Sequence, residues 1–197
     1  MPIDRACLRE AEARARAAYA DPSRRYHDTS HVDDCLTQLD ATSDLGERER
    51  RVLRWAILWH DAVYDATQGD NEERSAELAA AELGRCGADS GDIAEVVRMI
   101  LLTKGHQVDE HDRLGSLLVS IDLSILGSDP ERYRQYAAAV RDEYTHVPDE
   151  TWRVGRSAVL SHLLAANPLY PDPAFRVRLE DKARRNLAAE LSSLSAS

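Results

Sequence analysis

The chain has 197 residues, 43% of them hydrophobic and 30% charged, with a formal net charge of −10. This suits one domain of ordinary size and excludes a disordered chain, which would be poorer in apolar residues. The acidic balance disfavours nucleic acid and anionic lipid as partners, so an anionic ligand would need a local cation or an arginine cluster to offset the field of the chain.

The opening stretch MPIDRACLREAEARARAAY mixes charges with alanines and has no apolar segment, so it does not read as a signal peptide. Residues 4–20 read as an amphipathic helix ended by Asp21-Pro22, because a residue before proline avoids the α region. Ser23 to His27 reads as a loop, and Ser30 as the N-cap of a helix over 31–41. Leu45 to Tyr64 reads as a helix that becomes almost wholly apolar toward its end, followed by a loop from Asp65 to Asp70. A helix over 71–84 is closed by Gly84 or Gly87, and Asp89 or Ser90 caps the next, over 91–103. Residues 112–126 carry the run LGSLLVSIDLSIL. Asp129-Pro130 fits an N-cap followed by proline at the first helical position, opening 130–145. Helices over 149–165 and 173–192 follow, and the final SSLSAS reads as a frayed end.

With a single Phe, abundant Ala, Leu, Arg and Glu, and no alternating strand pattern, the fold class is all-α, a bundle of about seven or eight helices. No apolar run approaches the roughly 20 residues of a membrane helix. Cys7, Cys35 and Cys86 are odd in number and widely spaced. They read as reduced thiols of a cytoplasmic protein, mostly buried as small hydrophobes.

The informative residues are polar ones in apolar settings. His60-Asp61 closes the run WAILWHDAVYD, and Asp122 sits inside LLVSIDLSIL with no Lys or Arg within five residues. A buried carboxylate without a partner costs several kcal/mol, so it pairs or coordinates a cation. One cation shared between the two segments would resolve both costs. His27 and His31, four apart, can supply neutral nitrogens. A mixed set of imidazole and carboxylate suits Mn²⁺, Fe²⁺, Co²⁺, Zn²⁺ or Mg²⁺, one ion per chain, and it leaves positions open for water and substrate. From the residues alone, a satisfied core histidine and a capping or ion-paired aspartate are equally good accounts.

The ordered set H…HD…D, with the segments YHDTSH, WHDAVYD, NEERSA, LLTKGH, DLSILG, VRDEYTHV and ARRNLAAE, resembles the HD-domain metal-dependent phosphohydrolases, and more closely a bacterial family of that type. The likeness runs from about Arg24 to Leu191 and implies one helical domain over 1–197. It implies His31, His60, Asp61 and Asp122 as metal ligands, with His27 at the site mouth or supporting the turn. HDAVYD also resembles the HDxxED box of the HD-type guanosine-tetraphosphate hydrolases, with Tyr64 in place of the first acid. Asp61, Asp65 and Glu72 are then the catalytic acids, and Asp65 or Glu72 is the residue that orients water. Arg24, Lys104, His106, Arg141 and Arg156 fall in matching segments as contacts to a phosphorylated small molecule.

The implied activity is hydrolysis of a phosphoester of a nucleotide or related metabolite by metal-activated water. The alternative is a helical metal- or nucleotide-binding sensor without turnover. HDTSH as a variant of the H-E-x-x-H peptidase motif lacks the glutamate, and a two-iron oxygenase would need further ligands from His106 or His111. Substrate identity stays open, as does a homodimer.

Overall fold

The computed structural model describes residues 3–196; Met1, Pro2 and Ser197 lie outside the described residues. Among them the chain forms nine α-helices, one 3-10 turn and no strand. The all-α expectation holds. The count exceeds seven or eight because every segment marked off by a cap, a glycine or a proline forms its own helix. Internal contacts fall into two compact units that divide between Leu118 and Val119.

The first unit holds α1 (Arg5–Ala18), α2 (Thr29–Asp40), α3 (Glu47–Trp59), α4 (Asn71–Arg85), α5 (Ser90–Leu102) and the start of α6 (Arg113–Asp122). Its centre is α3. Val52, Leu53, Trp55, Ala56, Ile57, Leu58 and Trp59 are all buried, so the last two turns are covered on every side, as their unbroken apolar run requires. Helices α1, α2, α4 and α5 pack around α3.

Several helix ends depart from the sequence reading for local reasons. The cap of α2 is Asp28, not Ser30: its Oδ1 accepts from the Ser30 N–H at 2.8 Å and the His31 N–H at 3.3 Å. His27 therefore lies outside the helix that carries His31. Asp89 likewise caps α5 in preference to Ser90. Helix α3 stops at Trp59 instead of running to Tyr64, and His60 becomes its C-cap. Gly84 lies inside α4, and Gly87, at φ 75°, makes the left-handed turn after it. Cys7 of α1 and Cys86 at the end of α4 form a disulfide, so two of the three thiols expected to be reduced are oxidised; Cys35 is free and buried.

The second unit holds the end of α6, the 3-10 turn Leu123–Gly127, α7 (Pro130–Glu143), α8 (Asp149–Ala165) and α9 (Pro173–Ala196). Helix α9 packs on the 3-10 turn and on α8. A Cβ on Gly127 would lie 2.6 Å from Leu179 Cβ, so only glycine permits that approach. The Asn186 side chain donates to the carbonyls of Leu126 and Ser128, each at 2.9 Å. Helix α9 runs to Ala196, past the residue 192 expected as its end. No helix among the described residues is long and apolar enough to cross a membrane.

Candidate metal centre

His31 comes from the first turn of α2, His60 from the C-cap of α3, and Asp61 from the turn after it. All three side chains converge. His31 Nε2 lies 3.1 Å from His60 Nε2, His60 Nε2 lies 3.0 Å from Asp61 Oδ2, and His31 Nε2 lies 3.7 Å from the same oxygen. The two histidines are 4% and 2% exposed. His60 Nδ1 is 2.8 Å from the Ile57 carbonyl oxygen. A carbonyl only accepts, so Nδ1 carries a proton; Nε2 donates to Asp61 when the ring is charged and turns a lone pair into the cluster when it is neutral.

Ligands about 2.0–2.2 Å from one ion lie about 3.0 Å apart on an octahedral edge and about 3.4 Å apart on a tetrahedral one. The His31–His60 and His60–Asp61 separations, 3.1 and 3.0 Å, match an octahedral edge, and the His31–Asp61 separation, 3.7 Å, is somewhat wider than a tetrahedral one. Two imidazoles and a carboxylate are also a donor set that divalent first-row ions accept. His31, His60 and Asp61 are thus placed to hold a metal ion.

Burial alone would push the Asp61 carboxyl up. His60, by charge and by a hydrogen bond, together with His27 and His31, outweighs this and holds it well below the usual carboxylate range. Asp61 is therefore in its ligand form across the neutral range.

Cys35, one turn further along α2, puts its sulfur 3.9 Å from both ring nitrogens of His31. In the sequence Cys35 reads as a small hydrophobe, and its i+4 spacing from His31 is the one signal of this proximity. The His27 ring stacks on Tyr64 at 4.3 Å and meets Tyr26 edge-on at 4.9 Å.

Asp122 ends α6 in the second unit and is half-buried. Its segment is tied down on both sides. The Ser120 hydroxyl accepts from the Asp172 N–H at 3.0 Å, and the Leu123 carbonyl accepts from the Tyr170 hydroxyl at 3.0 Å. The phenol of Tyr136 is pushed up, first by burial and also by Glu190 and Asp122.

The two rival acids differ. The Asp65 carboxylate closes a turn, accepting from the Thr67 N–H at 2.9 Å and the Thr67 hydroxyl at 2.7 Å. Glu72 is half-buried in the first turn of α4 and bears no such turn contact.

The basic residues are engaged with protein groups. Arg24 is buried and donates to three main-chain carbonyls, those of His27, Asp61 and Ala62. Arg141 binds the carbonyls of Tyr144 and Val147 and pairs with Asp149 at 2.6 Å. Arg156, also buried, closes both arms on Glu190, at 2.7 and 3.0 Å. Lys104 donates to the Gly69 carbonyl at 2.8 Å and pairs with Glu73. His106 is half-buried in the loop after α5, with its backbone in the left-handed region at φ 53°. In this structure the guanidinium groups of Arg24, Arg141 and Arg156 are engaged with main-chain carbonyls and carboxylates of the protein.

Compared with family models, with curated proteins and with solved structures, the chain matches none of them.

Proposed function

We propose that the protein is a metal-dependent phosphohydrolase of the HD-domain type, acting on a phosphoester of a nucleotide or related small metabolite. The observation that carries the reading is the convergence of His31 Nε2, His60 Nε2 and Asp61 Oδ2 within 3.7 Å of one another, on the residues the sequence resemblance singles out.

A bound divalent ion would supply an acidified water and a polarised phosphoryl oxygen. The chain's own part is to hold that ion through the three side chains and to orient the reactants around it. Asp122 is the fourth ligand that the resemblance implies. Glu72 is the better residue to orient or deprotonate water, since Asp65 spends an oxygen on its own turn. Lys104 and His106 are the phosphate contacts of this reading, because the exposed pair of Lys104 with Glu73 is weak enough for a phosphate to displace.

The test is metal analysis of the purified protein, followed by a phosphate-release screen over nucleotides with Mn²⁺, Co²⁺ and Mg²⁺. About one ion per chain, and release lost in Asp61→Asn, support the reading. Release that survives Asp61→Asn, or no metal taken up, overturns it. Metal uptake without release from any phosphoester tested would point to the sensor alternative.

A further inference from the structure

Helix α3 ends where the metal residues begin, so the carbonyls of Asp61 and Ala62 have no helical partner. Arg24 takes both. Its Nη1 donates to the Asp61 carbonyl at 2.6 Å and to the His27 carbonyl at 3.0 Å, and its Nη2 donates to the Ala62 carbonyl at 3.0 Å. The guanidinium carbon lies 5.0 Å from the Tyr19 ring centre and 5.5 Å from that of Tyr64. No carboxylate is within ion-pairing distance of it among the described residues. A buried cation without a carboxylate is costly; here three charge-assisted hydrogen bonds and two aromatic faces offset the cost. On the other side of the same residue, the Asp61 N–H donates to the hydroxyl of Tyr19 at 3.2 Å, and Tyr19 is fully buried.

From this we infer that Tyr19 and Arg24 are positioning residues of the metal centre. Together they hold Asp61 by its main-chain N–H and its main-chain carbonyl, and Arg24 ties it to the stretch that leads into His31. The His27 carbonyl belongs to the turn before α2, and the Asp61 and Ala62 carbonyls to the turn after α3, so one guanidinium sets the spacing between the two main-chain segments that carry the ligands. Arg24 does not touch substrate: its fork is closed inside the protein. A lysine keeps the charge but has no planar fork to reach three carbonyls at once. The inference rests on the metal reading above.

The test is Co²⁺ titration of the full chain, followed by visible absorption, for wild type, Arg24→Lys and Tyr19→Phe, with thermal melts of each without metal. Loss of an outer partner of a ligand typically weakens metal binding about 10–100-fold. That is the expectation for Arg24→Lys, with a smaller loss for Tyr19→Phe and a changed ligand-field spectrum at saturation in both. A purely structural role would lower the melting temperature and leave the saturated spectrum and the affinity of the folded protein unchanged, which would overturn the inference. If Arg24→Lys does not fold, Tyr19→Phe decides, since it removes one oxygen and keeps the buried ring. Absence of Co²⁺ binding by wild type would overturn the metal reading and this inference with it; normal wild-type binding with both variants unaffected would overturn this inference alone.

Discussion

His31 Nε2 stands 3.1 Å from His60 Nε2, a distance at which two imidazole nitrogens need a proton or a cation between their lone pairs. A ligand that binds only the folded state raises stability by about 2.7 kcal/mol at a hundredfold excess over its dissociation constant. For a chain of this size that is about 5–10 °C in melting temperature. Co²⁺ or Mn²⁺ should raise the transition of the wild type by that amount, EDTA should reverse it, and Asp61→Asn should show little of it. Calorimetry with and without metal gives the answer; equal shifts in both proteins would place the ion elsewhere.

The Cys7–Cys86 disulfide closes a loop of 79 residues between α1 and α4. Cross-linking so distant a pair restricts the unfolded chain by up to about 4.5 kcal/mol in the loop-entropy account. The Cys7→Ser/Cys86→Ser variant should unfold at markedly lower urea concentration than the oxidised protein. Reduced wild type should fall close to that variant. A midpoint unchanged by reduction would show that the bridge contributes nothing to stability.

Glu180 anchors the segment before α9. Its carboxylate accepts from the N–H groups of Leu169 and Tyr170, at 3.0 and 3.1 Å, and pairs with Arg184 at 2.6 Å. Burial pushes this carboxyl up, but the two N–H donors and Arg184 outweigh it and hold it below its ordinary value. A depressed carboxylate adds stability that is complete above the unfolded value of about 4.3 and is lost as pH falls through the lower folded value. Glu180→Gln should therefore cost about 1–2 kcal/mol near pH 7, and the difference from wild type should shrink toward pH 3. Denaturant melts at the two pH values measure it; a difference independent of pH would mean the charge is irrelevant.

Much of the helical layout was legible because its signals are local. Asp129-Pro130, the apolar run of α3 and the loop from Asp65 to Asp70 each declare themselves within a few residues. Among site residues, His60 and Asp61 were indicated by their apolar setting and by the resemblance, and His31 by the resemblance that picks it over His27. What escaped depends on groups far apart in the chain. The partner of Cys7 is 79 residues away. The role of Arg24 depends on the carbonyls of Asp61 and Ala62, far along the chain from it. Asp28 was passed over as a cap because Ser30 fits the same rule; the carboxylate prevails by reaching two N–H groups at once.

Arg156 allows the substrate-contact reading to be separated from the structural one. Its side chain is 6% exposed and its guanidinium grips Glu190 with both arms, while the guanidinium carbon lies 5.5 Å from the Tyr136 ring centre. Removing one member of such a pair strands a buried charge and costs about 3–5 kcal/mol, whereas replacing both with apolar side chains is often neutral. Glu190→Met alone should be strongly destabilising, and Arg156→Met together with Glu190→Met should recover most of that loss. If the pair serves only the fold, the double variant also keeps the metal affinity of the wild type. Additive losses in denaturant melts would break the pairing account, and retained stability with lost phosphate release would return Arg156 to the substrate.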